Sequence, residues 1–464
     1  MRQMIKINPR TRGAYELLHD GTLAFAVAER QGICIDVNYV QKKKSHLIKK
    51  INRLEEKFKD SKFYKHWEHV KKNPNFYSDK QLAHFLYNVK KLNPIKTTSK
   101  SEQGSVDNES LRKLNIPELD ILLEIKKVKK MYDVLDGFER EQVNEILHPF
   151  FNLNLVRTFR SSSDSPNFQN VPKRDDEMMK ICRRAIIPRK DHQLIEIDYG
   201  QLEVRISACY NNDNKLIHDV LHGDMHSDMA MEIFKIDKIN KKIPGHNTLR
   251  QAAKNGFVFP QFYGDYYKKC AVNICEWVKL PEERWKEGMG IYLGKDTDID
   301  GDVTISDLLI CNGIKSFDQF TEHIRNIENE FWNKRYYEYQ AWKERWWKGY
   351  QKYGYIDMKT GFRCSGIMTF NDCINYPVQG AAFHCLLWSF IKTNKLIQEQ
   401  NLDTKLIGQI HDSMILDANP KELDYLIPKI KEITCEKLPK EWEWITVPLN
   451  VDIDVFDINH SWTK

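Results

Sequence analysis

The chain has 464 residues, of which 41% are hydrophobic, 11% aromatic and 29% charged, and this composition excludes a disordered, collagen-like or low-complexity chain. Its 71 Lys and Arg against 65 Asp and Glu give a net charge of +6, which is compatible with nucleic acid as a partner but does not require one. There is no run of about 18 apolar residues and no apolar N-terminal segment, so neither a transmembrane helix nor a secretory signal is expected. The 10 cysteines include no C-x-x-C pair and indicate reduced thiols of a cytoplasmic protein.

The first 140 or so residues are expected to form an elongated helical arm. Residues 41–72 are rich in Lys and carry apolar residues at helical spacing, which predicts one amphipathic helix. A second helix is predicted at 78–89, with Ser78 as its N-cap, and a third at 110–138. The polar residues 93–110 predict an exposed basic loop at the tip of this arm.

Two short apolar segments each lead to an aspartate. Residues 194–198 predict a strand that ends at Asp198, and residues 406–416 predict a hairpin with Asp412 at its turn. A single aspartate in such a position is common and carries little information. Two of them brought together could hold divalent metal ions, because Mg²⁺ prefers a few carboxylates together with substrate phosphates.

The region between these segments, about residues 215–350, is predicted to be mainly helical. Within it, Arg250 and Lys254 are four residues apart and lie on one face of a helix. Two cations in that arrangement suit a triphosphate, and a solvent-facing basic pair is the alternative. Residues 332–355 are rich in Trp and Tyr, which favours a buried helix face over the alternative of base stacking.

Several segments resemble the motifs of family A DNA polymerases. Residues 198–205 (DYGQLEVR) resemble the first polymerase motif, residues 250–264 the second, and residues 409–413 (QIHDS) the third. Four further segments resemble family motifs that occur in the same order, namely residues 76–82, 158–172, 223–226 and 375–380.

The resemblance implies an α+β fold of the right-hand polymerase type, with an antiparallel-sheet palm, a helical thumb and helical fingers. The implied divisions are an N-terminal segment docked on the palm at 1–35, the thumb at 36–140, the first part of the palm at 141–214, the fingers at 215–350 with an insertion at about 271–331, and the second part of the palm at 351–464.

The same resemblance assigns roles to individual residues. The catalytic, metal-binding carboxylates would be Asp198 and Asp412, and the backbone carbonyl of Tyr199 would be a further ligand for two Mg²⁺ ions. Glu203 would exclude a ribose 2′-hydroxyl. The residues that would hold the incoming dNTP are Gln201, Glu203, His226, Arg250, Lys254, Phe259 and Tyr263. The residues that would contact primer-template DNA are Arg160, Gln169, Asn170, Asn375, Gln379 and His411.

The chain departs from the family pattern at four single positions, two of which lie in its first and third motifs. Gly200 replaces a usual Ser. Ser413 replaces the usual Glu directly after the third-motif aspartate, which leaves two strong carboxylates rather than three. Asn371 and His384 stand where the family often has Arg and Asp.

The largest departure is in the second motif, which is one residue longer than usual. Pro260 falls inside an expected helix, which predicts either an early helix end or a π-bulge or kink. The aromatic residue that stacks on the nucleotide is therefore ambiguous. Counting forward from Lys254 reaches Val258, whereas counting back from Tyr263 reaches Phe259, which we favour.

The implied function is template-directed extension of a primer 3′-hydroxyl with dNTPs in DNA replication, with release of pyrophosphate. Only a few tens of residues precede the expected thumb helix, so we expect no intrinsic 3′–5′ proofreading and allow for a separate exonuclease or replisome proteins as partners. The abundant Lys, Asn and Ile suggest an A+T-rich genome. The compact layout and the divergent motifs resemble a bacteriophage polymerase, which we expect to act as a monomer in the host cytoplasm. The alternatives are a repair or lesion-bypass polymerase, a single-subunit RNA polymerase, which Glu203 disfavours, and an inactive DNA-binding module.

An acidic stretch within the expected insertion resembles a calcium-binding loop. Its carboxylates have EF-hand spacing, with Gly301 at the sharp turn. The loop residues that would bind Ca²⁺ are Asp296, Asp298, Asp300, Asp302 and Asp307. The alternative is a solvated acidic turn, which the glycines ahead of the loop favour because they interrupt any entering helix.

Overall fold

The computed structural model describes residues 6–97, 103–173, 175–282, 285–294 and 303–463. Within these ranges helices and antiparallel strands are mixed along the chain, so the predicted α+β class is confirmed. Among the helices described, none combines the length and the apolar character that crossing a bilayer requires.

The arm is helical as predicted, but its helices have different bounds. After β1 (Lys6–Pro9) and α1 (Arg12–Gln31), it comprises β2 (Ile33–Cys34), α2 (Val37–Lys59), α3 (Lys62–Val70), α4 (Asp79–Ala83) with a π-helical continuation at His84–Val89, α5 (Asn108–Lys113) and α6 (Pro117–Glu141).

Two of the three helix predictions in the arm need correction. The single helix at 41–72 is wrong, because the chain breaks at Ser61, whose hydroxyl caps α3 by accepting the amide of Tyr64. The helix expected at 110–138 is two helices, since Pro117 opens α6 at a position where a proline needs no amide partner. Ser78 is confirmed as the N-cap of α4.

The arm is held together by one long helix pair and by a separate apolar core. Helix α2 packs along α6, and Lys44 of α2 forms ion pairs with Asp136 and Glu139 of α6. Towards the tip, Phe58 and Trp67 lie in a second core cluster that is distinct from the main one. This part of the arm therefore has an apolar core of its own.

The segments that follow the arm lead into the central sheet and then into the long helical region. They comprise β3 (Ile146–Leu147), β4 (Phe150–Asn152), β5 (Ser162–Asp164), α7 (Asp176–Arg183), β6 (Gln193–Tyr199), α8 (Leu202–Asn211), α9 (Asn214–His222), α10 (Met225–Phe234), α11 (Pro244–Ala253) with a π-helical continuation at Lys254–Val258, α12 (Phe259–Phe262), α13 (Tyr267–Trp277), α14 (Ile305–Cys311), α15 (Phe317–Glu330) with a π-helical turn at Phe331–Arg335, and α16 (Tyr337–Tyr353).

The last part of the chain returns to the sheet. It comprises β7 (Tyr355–Asp357), β8 (Phe362–Ser365), α17 (Phe370–Glu399), β9 (Lys405–Ile410), β10 (Ser413–Ala418), α18 (Leu423–Lys431) with a π-helical turn at Glu432–Lys437, α19 (Leu438–Glu441) and β11 (Val451–Val455).

The central sheet has four antiparallel strands in the order β11-β6-β10-β9. Both predicted β elements are confirmed, with the strand at β6 and the hairpin at β9 and β10. Ser413 pairs with Asp198 on one side and with Ile410 on the other, so the hairpin turn lies beside the end of β6. The 30-residue helix α17 packs on this sheet and is buried along most of its length.

The aromatic-rich segment is a buried helix face, as its composition favoured. Tyr336, Tyr339 and Trp342 are nearly inaccessible and pack ring against ring. Tyr337 and Tyr353 point outwards and are more than half exposed. Most of these rings therefore stabilise the helical region and are not available to stack on bases.

Candidate active site

The two predicted catalytic aspartates lie side by side at one edge of the central sheet. Asp198 is the penultimate residue of β6, and Asp412 is in the turn between β9 and β10. The amide of Tyr199 donates to the carbonyl oxygen of Asp412 at 3.2 Å, which ties the turn to the strand. His411 in this turn has a φ of +50°, an unusual conformation for a residue with a side chain.

The charges around Asp198 suit a divalent cation. Burial raises the pKa of Asp198, and the charges of Asp412 and Glu196 act in the same direction. Lys173 opposes them, since its Nζ lies 3.2 Å from Oδ2 of Asp198. Hard carboxylate oxygens with an ammonium group already beside them form a donor set that fits Mg²⁺.

The protein alone does not complete the coordination of such an ion. Within the described ranges, no three His, Cys, Asp or Glu side chains are arranged as a ready ligand set. Substrate phosphates and water would therefore have to supply the remaining ligands, as is usual for Mg²⁺.

The carboxylates open into a cavity of about 830 Å³. Thirteen of the residues predicted from the sequence line it together, namely Arg160, Gln169, Asn170, Asp198, Tyr199, Gln201, Glu203, Phe259, Tyr263, Asn375, Gln379, His411 and Asp412. The structure thus brings segments from across the whole chain to one site.

Three predicted triphosphate-binding residues, His226, Arg250 and Lys254, form a cluster next to this cavity. Burial together with the charges of Lys254 and Arg250 lowers the pKa of His226 to about 4, so this imidazole is neutral at pH 7. Burial and the charge of Arg250 also lower the pKa of Lys254. Cations that raise one another's energy in this way favour the binding of an anion.

Arg250 is held by a carboxylate that the sequence analysis did not assign. Its guanidinium donates to both oxygens of Asp224 at 2.9 to 3.2 Å. Asp224 also caps α10 by accepting the amide of Ser227, and it pairs with Lys241. Asp224 therefore fixes the position of Arg250 in the absence of a triphosphate.

The additional residue of the second motif is accommodated in a π-helical segment. Of the two predicted alternatives, the structure has the π-bulge, at Lys254–Val258, and the helix then continues with Pro260 in the first turn of α12. This placement exposes Phe259 to the cavity and buries Val258 completely. The ring of Phe259 lies 5.2 Å from Nζ of Lys254 and 5.6 Å from the ring of His226, which joins the cationic cluster to the cavity.

Glu203 is held by two partners from distant segments. Its carboxylate accepts a hydrogen bond from the hydroxyl of Tyr263 and forms an ion pair with Arg160. The carbonyl of Tyr263 in turn accepts the side-chain amide of Asn375 at 3.2 Å. Four predicted site residues therefore form one connected network across the cavity.

The structure also explains Gly200 in the first motif. A Cβ atom at Gly200 would lie 2.7 Å from the side chain of Asn450, and the amide of Gly200 donates to the carbonyl of Asn450. A serine would therefore require Asn450 to move. The next residue, Gln201, has a φ of +53° at the start of α8, so the chain turns sharply directly after Tyr199.

Several residues of the site were missed by sequence reasoning. Buried Gln409 accepts the side-chain amide of Gln169 and donates to the carbonyl of His411, which links the cavity wall to the hairpin turn. Glu196 lies two residues before Asp198, and this period-two spacing was the one available signal for it. Lys173 directly follows the motif segment at 158–172, but the sequence assigned no role to it.

The proposed calcium loop falls mainly outside the described residues. This applies to Asp296, Asp298, Asp300 and Asp302. Asp307 is described, and its carboxylate accepts hydrogen bonds from Thr304 and from the amide of Gly288, capping α14. Calcium binding stays a prediction, which thermal melting with and without added calcium would test.

Comparison with known proteins places these features in one family. The model for DNA polymerase family A matches residues 37–464. DNA polymerase I of Lactococcus lactis is 28% identical over 382 residues, covering 82% of this chain and 38% of the relative. DNA polymerase I of Synechocystis is 25% identical over 442 residues, covering 92% and 40%. The chain thus spans well under half the length of these relatives.

The fold also matches a solved structure. The polymerase domain of Pol1 from M. smegmatis, in complex with a DNA primer-template and dNTP, superposes with a TM-score of 0.72 at 20% identity. The match covers 96% of this chain and 70% of that structure. The predicted polymerase fold is therefore confirmed.

Proposed function

The chain belongs to DNA polymerase family A, and we propose that it is a DNA-directed DNA polymerase that extends a primer 3′-hydroxyl with dNTPs and releases pyrophosphate. One observation carries the proposal: two strand-end carboxylates line one cavity, and Phe259 in the wall of the same cavity contacts the cationic cluster beside it. Such a pairing suits phosphoryl transfer, in which positioning and charge stabilisation supply almost all of the catalysis.

The carboxylate end of the cavity would hold the metal ions. Asp198, Asp412 and the carbonyl of Tyr199 are the residues for this role, and two bound Mg²⁺ ions would activate the primer hydroxyl and neutralise the charge on the leaving pyrophosphate. The hydrogen bond from Tyr199 to the Asp412 carbonyl keeps the two carboxylates together before any ion binds. This end determines the rate of the chemical step.

The cationic end would hold the incoming nucleotide. Arg250 and Lys254 would bind the triphosphate, with neutral His226 as a hydrogen-bond partner. Phe259 would pack against the base, and Glu203, held by Tyr263 and Arg160, would lie where the sugar enters. A carboxylate in that position favours a deoxyribose over a ribose, which argues against an RNA polymerase.

The remaining cavity residues would contact the DNA. Arg160, Gln169, Asn170, Asn375, Gln379 and His411 offer donors and acceptors suited to the minor groove, where the acceptor positions are shared by all base pairs. The lysine-rich arm formed by α2 to α6 would be the thumb and would bind duplex phosphates without sequence preference. The region from α9 to α16 would be the fingers, and the central sheet the palm.

The replicative role and the bacteriophage origin are finer proposals that rest on the sequence. The same holds for a separate exonuclease or replisome partner and for a monomeric state. A repair or lesion-bypass role is the competing function. Rates opposite an abasic site compared with an intact template would separate it from a replicative role, because a bypass enzyme retains most of its activity there.

Primer extension with the purified protein tests the main proposal. With a primed template, Mg²⁺ and dNTPs, we expect products whose length follows the template, and no extension without template or metal. NTPs should be incorporated poorly. Failure to extend any primed DNA with Mg²⁺, or better extension with NTPs than with dNTPs, would contradict the proposal.

A further inference from the structure

A third carboxylate lies directly behind the catalytic pair. Glu196 is two residues before Asp198 on β6, so both side chains project from the same face of the sheet. It is 5% exposed. Its Oε2 accepts from Arg183 at 2.9 Å and from the indole of Trp462 at 3.0 Å. One of its two oxygens is thus anchored in the protein core.

The other oxygen of Glu196 lies between Ser413 and Lys173, beside Asp198 and behind the cavity wall. Oε1 lies 3.3 Å from the hydroxyl of Ser413 and 3.6 Å from Nζ of Lys173. The same Nζ lies 3.2 Å from Oδ2 of Asp198. A single ammonium group therefore bridges Glu196 and Asp198, in a position where positive charge is required.

A short side chain, that of Ser413, lies beside Glu196 on the neighbouring strand. Ser413 directly follows Asp412 and pairs across the sheet with Asp198. Its side chain is too short to reach the cavity as a glutamate would, and its hydroxyl points to Ile410 and Glu196. The negative charge absent from position 413 on β10 is present on β6, one strand away.

We infer that Glu196 is a third carboxylate of the metal centre and that Lys173 is the counter-ion that Glu196 and Asp198 share until a divalent cation arrives. The inference rests on the proposed polymerase function. Because no three carboxylates among the described residues form a ready ligand set, Glu196 acts on the cation through water. Mg²⁺ usually keeps several water ligands, and groups that orient such ligands strongly affect metal affinity.

The opposing interpretation is a structural ion pair. Glu196 and Arg183 would then serve only to stabilise the sheet. The same sheet contains a matched control, because Asp417 on β10 is 3% exposed and pairs with Nε of Arg189 at 3.1 Å. Asp417 pairs across the sheet with Leu194, four residues along β6 from Asp198, so it lies away from the metal centre. Replacing it removes a buried ion pair of the same kind away from the metal centre.

Mn²⁺ binding, measured by electron paramagnetic resonance without DNA or dNTP, tests the inference apart from activity. We expect Glu196→Gln to weaken Mn²⁺ binding by about tenfold or more, as is typical for groups that orient metal ligands. Asp417→Asn should leave Mn²⁺ affinity unchanged even if it lowers the melting temperature as much. Equal affinity in wild type and Glu196→Gln, or an equal loss in Asp417→Asn, would overturn the inference.

Two further variants keep the test decisive. In the Glu196→Gln background, Ser413→Glu should recover at least part of the Mn²⁺ affinity, because it returns a carboxylate to the same space. Lys173→Met changes a half-exposed residue and should tighten Mn²⁺ binding about fivefold or more by removing a nearby cation. If Glu196→Gln does not fold, unchanged affinity in Lys173→Met overturns the inference.

Primer extension on the same preparations separates the two proposals. An inactive wild type whose Mn²⁺ site depends on Glu196 would contradict the polymerase function alone. An active wild type whose Mn²⁺ affinity does not depend on Glu196 would contradict this inference alone.

Discussion

The two ends of the cavity are built in different ways. At the metal end, antiparallel pairing of β6 with β10 fixes Asp198 and Asp412 relative to each other. At the nucleotide end, Arg250 and Lys254 lie on a helix whose register is shifted by a π-helical segment before Phe259. The first arrangement positions groups for the chemical step, and the second positions groups that bind the substrate. Mutations at the two ends should therefore change different kinetic constants.

The largest effect is expected at the metal end. Asp198→Ala and Asp412→Ala should each reduce primer extension by at least about 100-fold, because each removes electrostatic stabilisation of the transition state. Duplex binding, measured by fluorescence anisotropy, should persist, since phosphate contacts elsewhere supply it. Asp417→Asn is the control on the same sheet. More than about a hundredth of wild-type activity in Asp198→Ala would contradict the assignment.

A smaller effect on a different constant is expected at the nucleotide end. Lys254→Ala should raise the KM for dNTP by about 10-fold to 100-fold, the size of a lost charge-assisted contact, with a smaller change in kcat. Steady-state kinetics with varied dNTP concentration measure both constants. Lys242→Ala, an exposed lysine ahead of the same helix, should change neither. A fall in kcat with unchanged KM would place Lys254 with the catalytic groups instead.

The π-helical segment makes a contrasting prediction for two adjacent residues. Phe259→Ala should weaken dNTP binding by about 5-fold to 100-fold, as expected for a lost stacking contact, and change stability little. Val258→Ala should lower the free energy of unfolding by about 1–3 kcal/mol with little change in dNTP affinity. Nucleotide titrations measure the dNTP affinity of both variants, and urea unfolding measures their stability. The reverse pattern would mean that the register of this helix has been misassigned.

The smallest effect is a change in stability, and it is expected at a buried lysine that packs behind the nucleotide end. Lys343 is 7% exposed, and its Nζ lies 3.2 Å from the ring centre of Trp332. Trp332 donates to Gln261 of α12 at 2.6 Å, so this contact extends to the helix that carries Phe259. Burial lowers the pKa of Lys343 to about 7, from an ordinary value of 10.5.

The lowered pKa of Lys343 makes the free energy of unfolding depend on pH. Between these two values the unfolded chain binds a proton that the folded protein does not. The free energy of unfolding should therefore rise with pH, by at most about 1.4 kcal/mol per unit from this residue. Lys343→Met should remove this slope, as measured by urea unfolding from pH 7 to pH 10. An identical pH dependence in wild type and variant would contradict the burial of a titrating amine.

The sequence predicted the metal end well because local patterns determine it. An apolar strand that ends at Asp198 and a hairpin that turns at Asp412 are both visible in residue order, and pairing in register then brings them together. The nucleotide end was only partly predictable. Pro260 signalled an irregular helix, but the residue pattern did not distinguish a π-bulge from an early helix end.

Other features could not be predicted because they depend on tertiary contacts. The break at Ser61 was hidden by helical periodicity that continues on both sides of it. The carboxylate of Glu196 contacts Arg183, Trp462 and Lys173, which come from three separate segments. No local pattern relates those residues to one another, so only the folded chain shows them around one carboxylate.

The most direct test of the division between the two ends is a single-turnover experiment on wild type, Asp198→Asn and Lys254→Ala. The extension rate is measured as a function of dNTP concentration at fixed Mg²⁺. We predict that Asp198→Asn lowers the maximal rate and that Lys254→Ala raises the half-saturating dNTP concentration. If Lys254→Ala lowers only the maximal rate, or Asp198→Asn raises only the half-saturating concentration, the assignment of chemistry and binding to the two ends is contradicted.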